Sequence, residues 1–350
     1  MKETNHKIFN ESSKDDYLRL LHNLNLDLDI YYNPSFLLID AKIQKGEYEI
    51  FCLIKTPDIF IYPYIKLKFN NTKFKSYFDI TSPYGYCGPY STSASILKNG
   101  EDELIKYLKN NCVTEFIRYH YLYNDKKKFK INVENSQNRS IVTLNLKLDL
   151  NTIWFEQFSS KNRNLIRKLE NEKYSFTTTR NKEDLQCFIQ MYFSTMKNVG
   201  ANQFYFFKKS ILENMFKLLE NKICLVKVEK KNIVYGYAMF LLSGGIATYY
   251  LSARNINFPK IPATNYLLYK SAKLFKEKGV DLLNFGGGLS NETNDSLFKF
   301  KKNFSKETKE FYIGKRIHNF KVYNEVSKKW IYINGLEEYE KKRKMLQFYR

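Results

Sequence analysis

The period of the apolar positions changes near residue 150. Before it, apolar runs at 36–41, 48–54 and 59–69 are separated by turn signals at Gly46 and at Thr56, Pro57 and Asp58, and they predict an antiparallel meander. A polar lead-in over 1–16, a short helix over 18–29 and a turn at Tyr31, Tyr32, Asn33 and Pro34 come first. Further strands are expected at 116–122 and 141–148, and a helix over 101–110 turns Leu104, Ile105 and Leu108 inward. Between meander and helix, residues 77–90 read YFDITSPYGYCGPY, dense in Gly, Pro and Tyr. Such a loop either presents tyrosines, Tyr84 and Tyr86 foremost, to a sugar or base, or packs as an aromatic loop of fixed shape.

After residue 150 the three-and-four spacing of helices takes over. A helix over 154–172 turns Phe158, Leu165 and Leu169 inward and leaves Lys161, Arg163, Arg167 and Lys168 on its other side. Arg163 and Arg167 stand one turn apart, which suits a clamp on an acceptor's phosphate or carboxylate, and equally a solvated basic face. A strand at 174–179 leads to a helix that Asn181 caps and that runs to Gly200. A helix over 208–220, a hairpin of 223–229 and 234–242, and a strand reaching Ser252 follow. After the loop 254–261, Pro262 suits the first position of a helix carrying Leu268, Ala272 and Phe275, and Gly279 ends it. A second strand, 280–285, stops at Gly286, Gly287 and Gly288, and DSLFKFKKNF at 295–304 reads as a short aromatic-basic helix before strands near 311–317. The change of pattern at 149–152 divides the chain into domains 1–150 and 151–350.

The junction at 252–263 is where chemistry concentrates. A helix N-terminus offers unpaired N–H groups and the positive end of its dipole to phosphate. A parallel neighbour ending in three glycines leaves room for backbone to approach a ligand closely. An ordinary βαβ unit with a glycine turn has the same outline.

Composition narrows this. The 350 residues are 43% hydrophobic, with 28 Tyr and 28 Phe, enough core for one large or two ordinary domains and too much for disorder. The net charge of +21 suits an anionic partner such as tRNA, a nucleotide-linked sugar or an anionic membrane surface, or lysines scattered over solvated faces. Basic runs are short, at Lys126, Lys127 and Lys128 and at 341–344. Five dispersed cysteines without a Cys-x-x-Cys pair predict reduced core thiols, and four histidines without ligand spacing predict no metal site. Neither a signal peptide nor an apolar run of membrane-spanning length is legible, so a soluble, cytoplasmic protein is expected. There is no Walker loop, GxGxxG or GxSxG.

In order and spacing, YYLSA at 249–253, TNYLLYKSAKLFKEKG, FGGG at 285–288, DSLFKFKKNFS at 295–305 and Ile313-Gly314 resemble the GNAT acyltransferase superfamily, in its FemAB-type branch of peptidoglycan-bridge aminoacyltransferases and related acetyltransferases of glycan biosynthesis. FDITSPYGYCGPY resembles the loop of that branch's first domain. The resemblance, over most of 30–330, implies an α/β chain of two tandem GNAT-like domains, each a mixed, mostly antiparallel sheet flanked by helices. It implies acetyl-CoA or another acyl-CoA as donor and an amine on an amino sugar or glycan precursor as acceptor, with two alternatives: an aminoacyl-tRNA-dependent transferase acting on a peptidoglycan precursor, or a non-catalytic binding module that keeps the fold. Lys301 matches the branch's functional lysine, suited to the acyl donor or to developing negative charge, with Phe300 packed beside it. Asp295 then either orients or deprotonates the acceptor amine or caps the helix that follows. Leu251, Ser252, Ala253, Ala263, Thr264, Gly286, Gly287 and Gly288 would line the donor slot. Residues 257–261 stand in place of the usual pyrophosphate loop of GNAT enzymes, which leaves coenzyme A binding open, and the long helical arm of the bridge-forming enzymes is missing, which weakens the case for aminoacyl-tRNA as donor.

Overall fold

The computed structural model describes residues 6–124, 128–290, 292 and 294–350, so residues 1–5 of the lead-in and Lys126 and Lys127 of the basic run lie outside the described residues. Two compact units emerge, one built from residues up to 26, 31–138 and 310–350, the other from 27–30 and 139–309. The last residues, expected with the second domain, thus group with the first.

In chain order the first unit holds β1 (His6–Phe9), α1 (Lys14–Asn23), α2 (Pro34–Gln44), β2 (Glu47–Lys55) and β3 (Asp58–Lys68). It continues with β4 (Phe78–Thr81), β5 (Tyr90–Ser91), α3 (Ala94–Leu108) and β6 (Cys112–Arg118). β7 (Glu134–Asn145) starts there, and its residues from Arg139 onward belong to the second unit. That unit adds α4 (Leu150–Thr152), α5 (Ser160–Asn171), β8 (Ser175–Thr179), α6 (Lys182–Asn198) and α7 (Lys209–Leu219). Then come β9 (Ile223–Lys230), β10 (Ile233–Ser243), β11 (Ile246–Arg254), α8 (Ala263–Glu277), β12 (Leu282–Gly287) and α9 (Ser296–Lys302). β13 (Thr308–Ile317), α10 (Phe320–Asn334) and α11 (Leu336–Lys342) end the chain.

One expectation fails locally: 36–41 is helix, not strand. Asn33 accepts the Ser35 N–H, Pro34 fills the first turn, and Phe36, Leu37, Ile39 and Ala41 are all buried. A helix buried on several sides reads as an unbroken apolar run, which period alone does not separate from a buried strand. The two C-terminal helices were not anticipated either.

Each unit has a mixed, mostly antiparallel sheet flanked by helices, on one plan. In the first, β1, β2, β3 and β4 pair antiparallel, β4 and β6 pair parallel across the α3 crossover, and β6 pairs antiparallel with β13. In the second, β8, β9, β10 and β11 pair antiparallel, β11 and β12 pair parallel across α8, and β12 pairs antiparallel with β7. The core of the second unit gathers Val142, Leu144, Ile166, Leu268, Phe275, Leu283 and Phe285, all fully buried. That packing, more than helix propensity, holds α8 on its sheet.

A buried ionic cluster ties β13 into the first unit. Arg316 pairs with Glu101, donates from Nη1 to Glu115 Oε2 at 2.7 Å and from Nε to the Ile131 carbonyl at 3.0 Å, and His318 lies 3.0 Å from the same Glu115 oxygen. Burial pushes the Glu115 carboxyl up, but Arg316 and the His318 hydrogen bond outweigh it and hold it at about 2. Arg316→Met would strand two buried carboxylates, so urea unfolding should show a loss of about 3–5 kcal/mol.

Candidate functional site

The site begins where two parallel strands part. β11 stays paired with β10 as far as Arg254, but with β12 only at Ile246, Ala247 and Thr248, opposite Leu282, Leu283 and Asn284. Asn284 is the cause. Its Oδ1 accepts the Gly286 N–H at 2.7 Å, the β12–β7 register shifts between Asn284 and Gly286, and Gly286 takes φ +77°. That left-handed conformation favours glycine. β12 therefore follows β7 to Gly287 and leaves β11 behind. On the facing strand the β10–β11 register skips Tyr250. Each wall thus carries a bulge, at 249–251 and at 284–286.

The first unit has the same parting, stitched shut. β4 and β6 pair as far as Thr81 and Phe116, after which Ser82 N–H donates to the Phe116 carbonyl at 2.8 Å and Cys87 N–H to the Arg118 carbonyl at 3.1 Å. The Tyr-rich loop thus serves as filler. Tyr84 N–H donates to Asp40 Oδ2 at 3.0 Å, and the Tyr86 ring sits edge-on to Tyr31, Tyr121 and Phe311. This is the packed aromatic arrangement of the two that the sequence allows.

In the second unit the glycine wall is held by charge. Lys301, 8% exposed, donates from Nζ to the Gly287 carbonyl at 2.7 Å. Burial pushes its ammonium down to about 8; Asp295 opposes the shift and Arg139 adds to it. Asp295 caps α9 through Oδ1 on the Phe298 N–H at 2.8 Å, and its Oδ2 accepts the Leu289 and Ser290 N–H groups, each at 2.9 Å. These bonds, the one from Phe298 first, keep its carboxyl below the ordinary range. Its lone pairs are spent on the turn, so its geometry is that of a cap. Phe300 is half-buried, 5.4 Å from the Phe304 ring.

The other wall is β11 and the start of α8. Leu251, Ser252 and Ala253 pair with Met239, Ala238 and Tyr237 on β10, leaving their other edge toward the gap. Ala263 and Thr264 open α8, where Pro262 stands at the cap position and no side chain caps the first turn. Ala263 N–H is taken by the Ile261 carbonyl at 2.8 Å, so the amides of Thr264 and Asn265 are the ones left for the anion-binding role expected there. Arg163 and Arg167 are each engaged separately. Arg163 Nη1 donates to the carbonyls of Trp154, Phe155 and Phe158 at 3.3, 3.2 and 2.6 Å, and Arg167 stacks 5.4 Å over the Trp154 ring. Two concavities lie beside these elements: about 210 Å³ between α6 and residues 254–257, and about 400 Å³ against Trp154, Arg167 and Tyr269. Neither is the gap.

Lys301, Asp295 and the three glycines are thus brought together, with residues 251–253 and 263–264 on the facing wall; Tyr84 and Tyr86 belong to the other unit. Two residues escaped the sequence reading. Asn284 had a signal, an Asx residue two before a glycine. Arg139 had none, sitting in the polar ENSQNRS that precedes the apolar part of β7.

Comparison with known proteins bears on the fold. Residues 157–301 match the family model described as an acetyltransferase (GNAT) domain. No curated protein matches in sequence. The chain is similar in structure to FemX, with 13% identity and a TM-score of 0.71 over 91% of this chain and 99% of that one. It is also similar to a conserved protein of unknown function from Bacteroides thetaiotaomicron VPI-5482, with 9% identity and a TM-score of 0.58 over 89% and 99% of the two chains. A third is the C-terminal domain of a putative lysylphosphatidylglycerol synthetase from Agrobacterium fabrum, with 9% identity and a TM-score of 0.56 over 88% and 93%. The second unit therefore carries a GNAT-type acyltransferase domain. The chain as a whole has the FemX fold, as the resemblance implied.

Proposed function

We propose that the chain is an N-acyltransferase that moves an acetyl or similar acyl group from acyl-CoA to an amine on an amino sugar or glycan precursor. The observation that carries this is the open β11–β12 gap with Lys301 buried at its glycine wall, in a unit whose counterpart is stitched shut. The wall fits such a donor: the β11 edge offers amides and carbonyls to a pantetheine arm, and the uncapped start of α8 offers N–H groups to a pyrophosphate. Bound acyl-CoA supplies an activated thioester carbonyl. Lys301, as its cation, stabilises the charge that develops on the acyl oxygen, and the low dielectric around it strengthens that effect. Asp295 holds the turn that aims it. No helix among the described residues is long and apolar enough to cross a membrane.

Titrating acetyl-CoA by calorimetry tests the donor: binding is expected, it should weaken in Thr264→Pro, and no heat at millimolar donor contradicts the proposal. The charge of +21 favours a second reading, aminoacyl-tRNA as donor, for which filter binding of charged tRNA should fall steeply with salt. The pH profile carries a further expectation. Because burial lowers the Lys301 ammonium to about 8, kcat/KM should fall as pH rises past that value, where the cation is lost. A rate that keeps climbing through this range would instead make Lys301 a base.

A further inference from the structure

The glycine turn of the second unit is gripped by cations on its carbonyls and by a carboxylate on its amides. Lys301 takes the Gly287 carbonyl at 2.7 Å; Arg139, from β7, reaches the next two, with Nη1 2.7 Å from the Gly288 carbonyl and 3.4 Å from that of Leu289. The Arg139 stem lies flat on the turn, since a Cβ on Gly287 would come within 2.9 Å of its Cδ. From the other side, a Cβ on Gly288 would come within 2.4 Å of Asp295 Oδ1. Three charged side chains, Arg139 from β7 and Asp295 and Lys301 from α9 and its cap, thus share five backbone groups, and there is no slack for an extra methyl group on either glycine.

We infer that Arg139 is a positioning residue of the transferase site: it fixes the Gly288 and Leu289 carbonyls at the rim of one wall of the gap, and from that seat sets the charge Lys301 faces. The inference rests on the reading of the gap as the donor site. Its reasoning is geometric. A single guanidinium nitrogen, Nη1, reaches two consecutive carbonyls from a fixed strand, and the strand is β7, the partner that draws β12 away from β11. The residue that opens the gap and the residue that steadies its rim are therefore neighbours on one ladder: Asn284 pairs with Thr143, and Gly287 with Ile141, two residues from Arg139. Electrostatics follow from the same placement. Asp295 stands at the start of the Lys301 helix, Lys299 and Lys302 share that helix, and Arg139 faces it from β7. Of these, Asp295 favours the Lys301 cation, while Arg139 disfavours it and so sharpens proton loss.

The test is an NMR titration of lysine-labelled protein, with the Lys301 signal assigned by its absence in Lys301→Met, beside transfer kinetics on the same variants. Arg139→Gln should move the Lys301 midpoint to higher pH, carry the falling limb of the rate profile with it, and lower kcat roughly 100-fold through a loosened turn, with KM for the acceptor little changed. Arg139→Lys, which keeps the charge without the planar guanidinium, should restore the midpoint and only part of the rate. Asp295→Asn should move the midpoint the opposite way. An unchanged midpoint in Arg139→Gln, or full activity with it, overturns the inference while leaving the donor site intact. A shifted midpoint in a protein that neither binds nor transfers acyl groups upholds the arginine's role and removes the function assigned to the gap.

Discussion

Replacing Lys301 by methionine should lower acyl transfer by about 10²–10³ while leaving the protein at least as stable as before. Both halves follow from one location. The side chain is 8% exposed and its ammonium is held near 8 by burial, against about 10.4 for a free lysine. A cation whose folded pKa is depressed opposes folding wherever it must be charged: the unfolded chain binds its proton more tightly, so stability rises as pH climbs from about 8 toward the unfolded value. At neutral pH the penalty is of the order of 1–3 kcal/mol, partly offset by the bond to the Gly287 carbonyl. Methionine fills similar volume without the charge, so thermal melts at pH 7 should show a midpoint no lower than wild type. A structural lysine would give the reverse pattern, a lower melting point with activity spared. Loss of activity together with preserved or raised stability is what a group held there for chemistry produces.

The second large effect is expected at Gly288. An alanine methyl would come within 2.4 Å of Asp295 Oδ1 and 2.6 Å of its Cγ, so the carboxylate must leave the turn. It would then surrender the Leu289, Ser290 and Phe298 amides at once, undoing the cap of the helix that carries Lys301. Gly288→Ala should therefore cost about 1–3 kcal/mol of stability and weaken donor binding at least about tenfold, read by chemical denaturation and calorimetry. Gly279→Ala is the control. Gly279, unlike Gly288, sits at positive φ, +75°, and nothing lies within 4 Å of its missing Cβ. It should lose stability through backbone strain alone and bind donor as wild type does.

The two units were legible to different depths. Helical spacing located α6 and α8 closely, and the glycines, the proline and Asp295 marked the site's boundaries because each answers a local backbone demand. The strands flanking the gap were also readable, each a short apolar run between turn residues. What escaped was non-local. Nothing in the sequence says that β12 pairs with β7, yet that pairing bends it away from β11, and Arg139 matters only because of it. The loop at 77–90 misled for the same reason: tyrosines that suit a sugar also suit one another, and only the ladder from Ser82 and Cys87 onto β6 shows that they close a gap. Arg163 likewise reads as half of an anion clamp until the turn at Ile153–Gln157 brings three carbonyls to it.

The most direct measurement is a crystal structure of the protein with a non-transferable acetyl-CoA analogue. The account predicts density for the pantetheine arm lying along 249–253, the thioester end against 286–288 within reach of Lys301 Nζ, and the pyrophosphate on the first amides of α8. An analogue bound elsewhere with β11 and β12 paired through to Gly287, or crystals that take up no donor at saturating concentration, would contradict it.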